Sequence, residues 1–516
     1  MDVRAELSGR RLAVALVLLA IVPALLAVAA VSYQRPDLPP GPADYNPRHL
    51  TKDPILTALQ ARELQRSRRM SDAAATQSAP TLLPATFPEP APTLVLAPRE
   101  APYELSEVAT AVPEAFRTVG DALLVLASIE VPTGAQLRID SALTPDVRLA
   151  SSPDGFVTVI TRGGELDLVG SQGQPLKVAS WDEAAAANDT DAADGRAFLL
   201  AFGGRMDVSH TDVGHLGFGT GTSSGMAWRG GPHVGAVAGT PATGEVTESV
   251  LHDNWFGAYT FEAEKMLWTG NTFSDNAAYG FDPHDFSNDF LVEDNVAHGN
   301  GRHGFIFSRA CERNIMRNNV AYDNAGHGFM IDDGRSEDSE TAKAARLPSN
   351  DNQVVDNHAY DNAGSGVEIE GGTGNVVTGN LLERNHIGVR IKDDASVVVA
   401  DNDIRDSRLF GIDVLEGAAT VDIAGNEVTG GWGSVSLGRE GIADVSDNEV
   451  SGAATPLVVD GTAVRDNAVG TTVAKYFKWN PLLILWTAIL GIPVVLAAKA
   501  VVSKVMTRRR FGPLTS

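Results

Sequence analysis

The chain has 516 residues, a formal net charge of −24 and one cysteine, Cys311. So acidic a balance argues against nucleic acid as a partner, since phosphate recognition needs a basic footprint, and a lone thiol leaves no intramolecular disulfide to hold the fold. With 51 glycines and 6% aromatic residues, the composition favours many short strands and turns over a helical bundle.

In chain order, the first element is an apolar run at 12–31, preceded by Arg4, Arg10 and Arg11. Twenty such residues can span a bilayer. A second apolar run, 481–498, is followed by Lys499, Lys504 and Arg508–Arg510. Positive flanks prefer the cytoplasmic side. The two runs therefore predict an N-terminal transmembrane anchor at 1–33, a C-terminal transmembrane helix at 476–507 and a basic cytoplasmic tail at 508–516. The expected placement is the cell membrane, crossed twice, with the central domain extracytoplasmic. Ala27-Val28-Ala29 keeps open the alternative that the first run is a cleaved signal peptide. Residues 34–119 are rich in Pro, Ala and Thr and read as a linker with one helical stretch near Ile55–Arg69.

From Ala122 the texture changes to short alternating segments suited to half-buried strands. A repeat then sets in. Asn closes a short strand at 271, 295, 319, 357, 380, 402, 426 and 448, and Gly opens the next at 257, 280, 304, 328, 366, 388, 411 and 433. Both series share one long step, which places a polar insertion at 334–350. A period of 22–24 residues with several strands per repeat predicts an all-β fold over 120–470: a right-handed parallel β-helix flanked by the two transmembrane helices. A leucine-rich repeat has a similar period, but its Leu-x-x-Leu-x-Leu frame is missing. The recurring Asn suits a turn and an amide ladder between coils.

Offsets from each Gly assign the faces, because strand side chains alternate. Phe281, Phe305, Phe329, Val367, Val389 and Ile412 form one inward column, and Pro283, Phe307, Ile331, Ile369, Ile391 and Val414 another. The outward columns, expected to face solvent, hold Tyr259, Asp282, Ile306, Met330, Glu368, Arg390 and Asp413, then Phe261, His284, Ser308, Asp332, Glu370 and Lys392. Asp285, Arg309, Asp333 and Asp393 stand at the strand edge. Strands lie about 4.8 Å apart, so Arg309 falls one coil from His284. An imidazole among carboxylates, with a guanidinium one coil on, suits proton transfer beside an anion. Asp332, Asp333, Glu368 and Glu370 read as a solvated face rather than a metal site. His298, His303, His327, His358 and His386 read as solvated or stacked residues, and Cys311 as an inert part of its coil.

Tyr279-Gly-Phe-Asp-Pro-His-Asp285 resembles the YGFDPHD signature of the periplasmic mannuronan C5-epimerases of alginate biosynthesis. Trp255–Glu264 and Phe305–Arg309 are similar to the coils on either side of it in that family. The resemblance runs over about residues 180–430 and is specific at 250–330. It implies loss of the carbon-5 proton of a uronic acid residue in a polymer, followed by reprotonation from the other face. It implies His284 as the base, Arg309 as the group neutralising the substrate carboxylate, and Asp282 and Asp285 as supporting acids. Tyr279 and Tyr259 are expected to line the groove, and Asp332, Arg390 and Lys392 to bind substrate. No cofactor and no metal are expected. The expected partners are an anionic polysaccharide, the membrane and a membrane polysaccharide synthesis complex. Like charges repel, so a polyuronate must meet local cations on so acidic a chain, and Arg302, Arg309, Arg313, Arg317, Arg390 and Lys392 are available. Two other readings stay open: a lyase on the same fold, and a carbohydrate-binding or envelope-assembly protein without catalysis.

Overall fold

The computed structural model describes residues 53–459, apart from 86–89, 220, 232–237, 335–346, 416–417, 419, 438–441 and 453–454, together with 468–469. Each turn of the chain lays down three short strands, one in each of three sheets. In the coil that opens at Gly280 these are Phe281–His284, Leu291–Glu293 and Val296–His298, after which Phe305–Ser308 begins the next. The sheets hold 15, 13 and 17 strands among the described residues. Successive coils pair in parallel, as when Phe305, Ile306, Phe307 and Ser308 meet Phe329, Met330, Ile331 and Asp332. The architecture is a parallel β-helix.

Both expected inward columns are buried. Phe305 and Phe329 stack with ring centroids 5.1 Å apart, whereas Phe281 meets Phe305 edge-on at 6.3 Å. Each such ring contributes roughly 1.5–3 kcal/mol by burial.

The recurring Asn residues form the amide ladder. From Asn271 through Asn295, Asn319, Asn357, Asn380, Asn402 and Asn426 to Asn448, each side-chain Nδ2 donates to the Oδ1 of the next coil at 2.9–3.1 Å. A second ladder runs through Asn276, Asn300, Asn324, Asn362 and Asn385 at another corner. A third links Asn314, Asn352 and Asn375. These amides are buried. The same Nδ2 groups also donate to main-chain carbonyls, as Asn319 does to Val292 at 2.8 Å, so each rung fixes the register of neighbouring coils.

The 54–119 stretch carries no strand pattern, yet it builds the head of the solenoid. Strands Thr93–Val95 and Tyr103–Glu104 pair in parallel with Ser128–Pro132 and Gln136–Asp140. Before them, the helix Pro54–Ala74 starts on an Asp53 cap, whose carboxylate accepts from Ile55 N at 2.7 Å. It lies on the outer face of the first sheet. Arg66 is buried there, with Nε on Glu63 at 2.9 Å, Nη1 on Thr93 at 3.1 Å and Nη2 on Thr158 at 2.6 Å. Ser67 donates to Glu130 at 2.9 Å. At the other end, Gln60 bonds Thr222 and Ser223, and Leu56 joins Phe156, Phe198, Phe218 and Tyr259 in one apolar cluster.

One expectation is corrected here. Among the described residues no helix is long and apolar enough to cross a membrane, so the described fold is the β-solenoid without the two expected flanking helices. The Pro54–Ala74 helix is long enough at about 31 Å, but Arg62, Glu63, Arg66, Arg68, Arg69 and Asp72 make it too polar. The apolar runs at 12–31 and 481–498 lie outside the described residues, as does most of the 334–350 insertion.

Candidate active site

In strand Phe281–His284 the inward positions are Phe281 and Pro283, which turns Asp282 and His284 outward. Tyr259 and Phe261 pair with them on the preceding strand, and His284 pairs with Ser308 on the next. Ser308 then pairs with Asp332. The register expected from the repeat is the register observed.

The Asp285 carboxylate joins two coils. Its Oδ1 lies 2.5 Å from His284 Nδ1, and its Oδ2 3.5 Å from an Arg309 nitrogen. His284 Nδ1 also lies 3.1 Å from the Asp285 main-chain N–H. The two contacts belong to different protonation states: the neutral ring with a bare Nδ1 accepts from the backbone, and a ring protonated at Nδ1 donates to the carboxylate. His284 Nε2 has no hydrogen-bond partner among the described residues. The His284 side chain is 30% exposed and that of Arg309 31%. Arg309 leaves its strand with φ +57° and Ala310 follows at +54°, a left-handed pair that carries the guanidinium off the strand line. Tyr259 lies with its ring centroid 6.0 Å from that of His284.

Burial pulls the His284 ring toward its neutral form, but Asp285, Asp282 and Asp332 together outweigh it and hold the ring above the ordinary histidine value. Burial pushes Asp282 up to about 6, against His284 and Arg302, and one of its oxygens is buried without a partner. Asp285 experiences burial too, yet His284 and Arg309 hold it below the usual carboxylate range. Burial raises the phenols of Tyr259 and Tyr279 well above their usual value, so both stay protonated.

The outward columns are less open than expected. Tyr259, Asp282, Ile306, Met330, Glu368 and Asp413 are buried. At one residue per strand, a short carboxylate such as Asp282 stands between the larger Tyr259 and Ile306 and is shielded by them.

The structure brings His284, Asp282, Asp285, Arg309 and Tyr259 together, with Asp332 two strands on. Tyr279 lies one column over, beneath the Arg302 guanidinium at 5.1 Å. Lys392 and Arg390 lie farther along the wall. Lys392 Nζ pairs with Glu368 at 3.0 Å and with Glu370, and Arg390 with Asp413 at 3.4 Å. Asp332, Asp333 and Glu370 each bring a carboxylate oxygen within 4.8 Å of the others. Arg302, counted above only among the balancing cations, is the residue the register undervalued. It sits two positions before Gly304 in the corner leading into the strand, where the outward alternation gives no signal. His303 and His327 stack at 4.7 Å, and burial pushes both rings toward neutrality.

Residues 223–343 and 337–467 match the family described as right handed beta helix region. The chain is 30% identical over 213 residues to the mannuronan C5-epimerase of Pseudomonas fluorescens, covering 40% of this chain and 39% of that protein. It is 35% identical over 117 residues to the mannuronan C5-epimerase AlgG of Azotobacter vinelandii, covering 22% of each. The chain thus spans about two fifths or less of the length of these curated relatives. Among solved structures it is similar to the periplasmic alginate epimerase AlgG, with a TM-score of 0.57 and 20% identity over 73% of this chain and 86% of that one. The two-pass, membrane-tethered placement is corrected accordingly. Among the described residues no helix is long and apolar enough to span a bilayer, and the fold is that of a protein described as periplasmic.

Proposed function

We propose that this chain, a right-handed β-helix protein of the mannuronan C5-epimerase-like kind, inverts carbon 5 of uronic acid residues in an anionic polysaccharide of the mannuronan type. The observation that carries this reading is the single Asp285 carboxylate set between the His284 imidazole and the Arg309 guanidinium.

With the Nδ1 proton held by Asp285, Nε2 keeps its lone pair and is unengaged. It takes the carbon-5 proton as the C–H bond breaks, and the electron pair passes into the adjacent uronate carboxylate. Arg309 faces the charge that grows there, an interaction strongest in the transition state. Reprotonation from the opposite face, from water, completes the inversion. The buried Asp282, its pKa raised by burial, adds a carboxyl beside the ring that helps to hold the imidazole above its ordinary value. Of the cations available to a polyanion, Arg313 and Arg317 are committed to Asp289, Glu312 and Glu293, which leaves Arg309 and Arg302 nearest the base.

A lyase begins with the same proton loss but expels the 4-linked oxygen, so product analysis separates the two. Polymannuronate incubated with the chain in D2O is expected to gain deuterium at carbon 5 without ultraviolet-absorbing unsaturated ends. Unsaturated product would make the chain a lyase, and no exchange with any polyuronate would remove the catalytic reading.

A further inference from the structure

The third sheet carries a separate constellation on its outer face, away from His284. A cavity of about 190 Å³ opens over strands Asp146–Ser152, Leu176–Asp182, Thr211–Gly214 and Val250–His252, lined among others by Arg148, Lys177, Asp212, His215 and His252. Gly214 pairs directly with His252. A Cβ on Gly214 would come within 2.7 Å of His252 Cε1, so only glycine lets the imidazole lie where it does.

That ring is held from both sides. Its Nε2 is 2.8 Å from Asp212 Oδ1 and its Nδ1 2.7 Å from Asp253 Oδ2. The His215 ring stands nearly perpendicular to it, with centroids 5.8 Å apart. His215, His252 and Asp253 each offer a ligand atom within 4.8 Å of the other two. Metal-bound histidines characteristically give the other ring N–H to a carboxylate, which fixes the tautomer and orients the ring. Asp212 is in that position on Nε2, which leaves Nδ1 to face the same point as Asp253. Two imidazoles and a carboxylate suit a borderline cation such as Zn²⁺ rather than Ca²⁺ or Mg²⁺, which prefer all-oxygen sets.

We propose that His215, His252 and Asp253 form a divalent-cation site of the zinc type, with Asp212 as its orienting carboxylate and an open coordination position toward the cavity. The site is independent of the epimerase reading. It is tested on the full chain, treated with chelator and dialysed, by calorimetric titration with Zn²⁺ and by visible absorption on adding Co²⁺. One equivalent should bind, with the intense bands of low-coordinate Co²⁺. His215→Ala and His252→Ala should each abolish this, and Asp212→Asn should weaken it about 10- to 100-fold. His298→Ala, on the same sheet, should leave it unchanged. Circular dichroism checks that each variant keeps its β signal, and His252→Gln serves if the alanine variant does not. Failure of the wild type to bind one equivalent, or binding that survives loss of both histidines, overturns the proposal.

Discussion

One outer column of the first sheet runs through two different environments. Under the Pro54–Ala74 helix it reads Glu130, Ile160, Leu200 and Ala227, and from there it continues as Tyr259 and Asp282. The pairing is parallel throughout, with one register shift where Gly225 and Met226 meet Phe256 and Ala258. What changes is the cover: the upstream residues pack beneath a helix, whereas downstream the column meets His284, Asp285 and Arg309. The solenoid supplies spacing and register indifferently, and the outward side chains decide whether a stretch of wall becomes a docking face for the chain's own helix or a chemical surface.

Four substitutions break or sharpen this contrast, from the largest expected effect to the smallest. His284→Gln removes the proposed base from the open stretch. Deuterium incorporation should fall about 100- to 10,000-fold, with the melting temperature little changed because the side chain is 30% exposed on the outer wall. Arg66→Ala acts on the covered stretch and should do the reverse. It leaves Glu63, and Glu130 with its pKa pushed up to about 7 by burial, without their shared cation, and should cost about 3–5 kcal/mol in denaturant unfolding while folded protein keeps its turnover. Asn319→Ala touches neither stretch but the register beneath both. It removes the bonds to Val292 and Asn357 and takes the Oδ1 acceptor away from the buried Asn295 main-chain N–H, for about 2–3 kcal/mol in the same assay. Asp285→Asn is the finest test. The base form of His284 accumulates as pH rises through its raised pKa, so kcat/KM should climb across that range. Removing Asp285 takes away the foremost group that raises it, and the climbing limb should move to lower pH.

The repeat made the solenoid legible. Asn and Gly mark coil corners because those corners demand special backbone and a stacked amide, and any side chain can be placed once the corners are known. That is why His284 and Arg309, 25 positions apart in the chain, could be placed together. The second Asn ladder lies in another corner of the coil, outside the strand-closing pattern that marks the first. The shielding of Asp282 and Glu368 was illegible for a different reason. Alternation tells which way a side chain points, not how tall its neighbours are. The helix Pro54–Ala74 lies in a stretch whose composition resembles a linker, and its anchors, Arg66, Ser67 and Gln60, are polar residues that sequence alone assigns to water. The length and hydropathy of the apolar runs state what a segment could cross and not where it goes.

A three-sided rod has a consequence for how such a chain can vary. Its interior fixes every second residue of each strand, while each flank presents its own outward set. Tolerance to substitution should therefore oscillate, with a beat of two along a strand and a slower one of a coil's length along the chain. A flank can acquire or lose a task without the others registering the change.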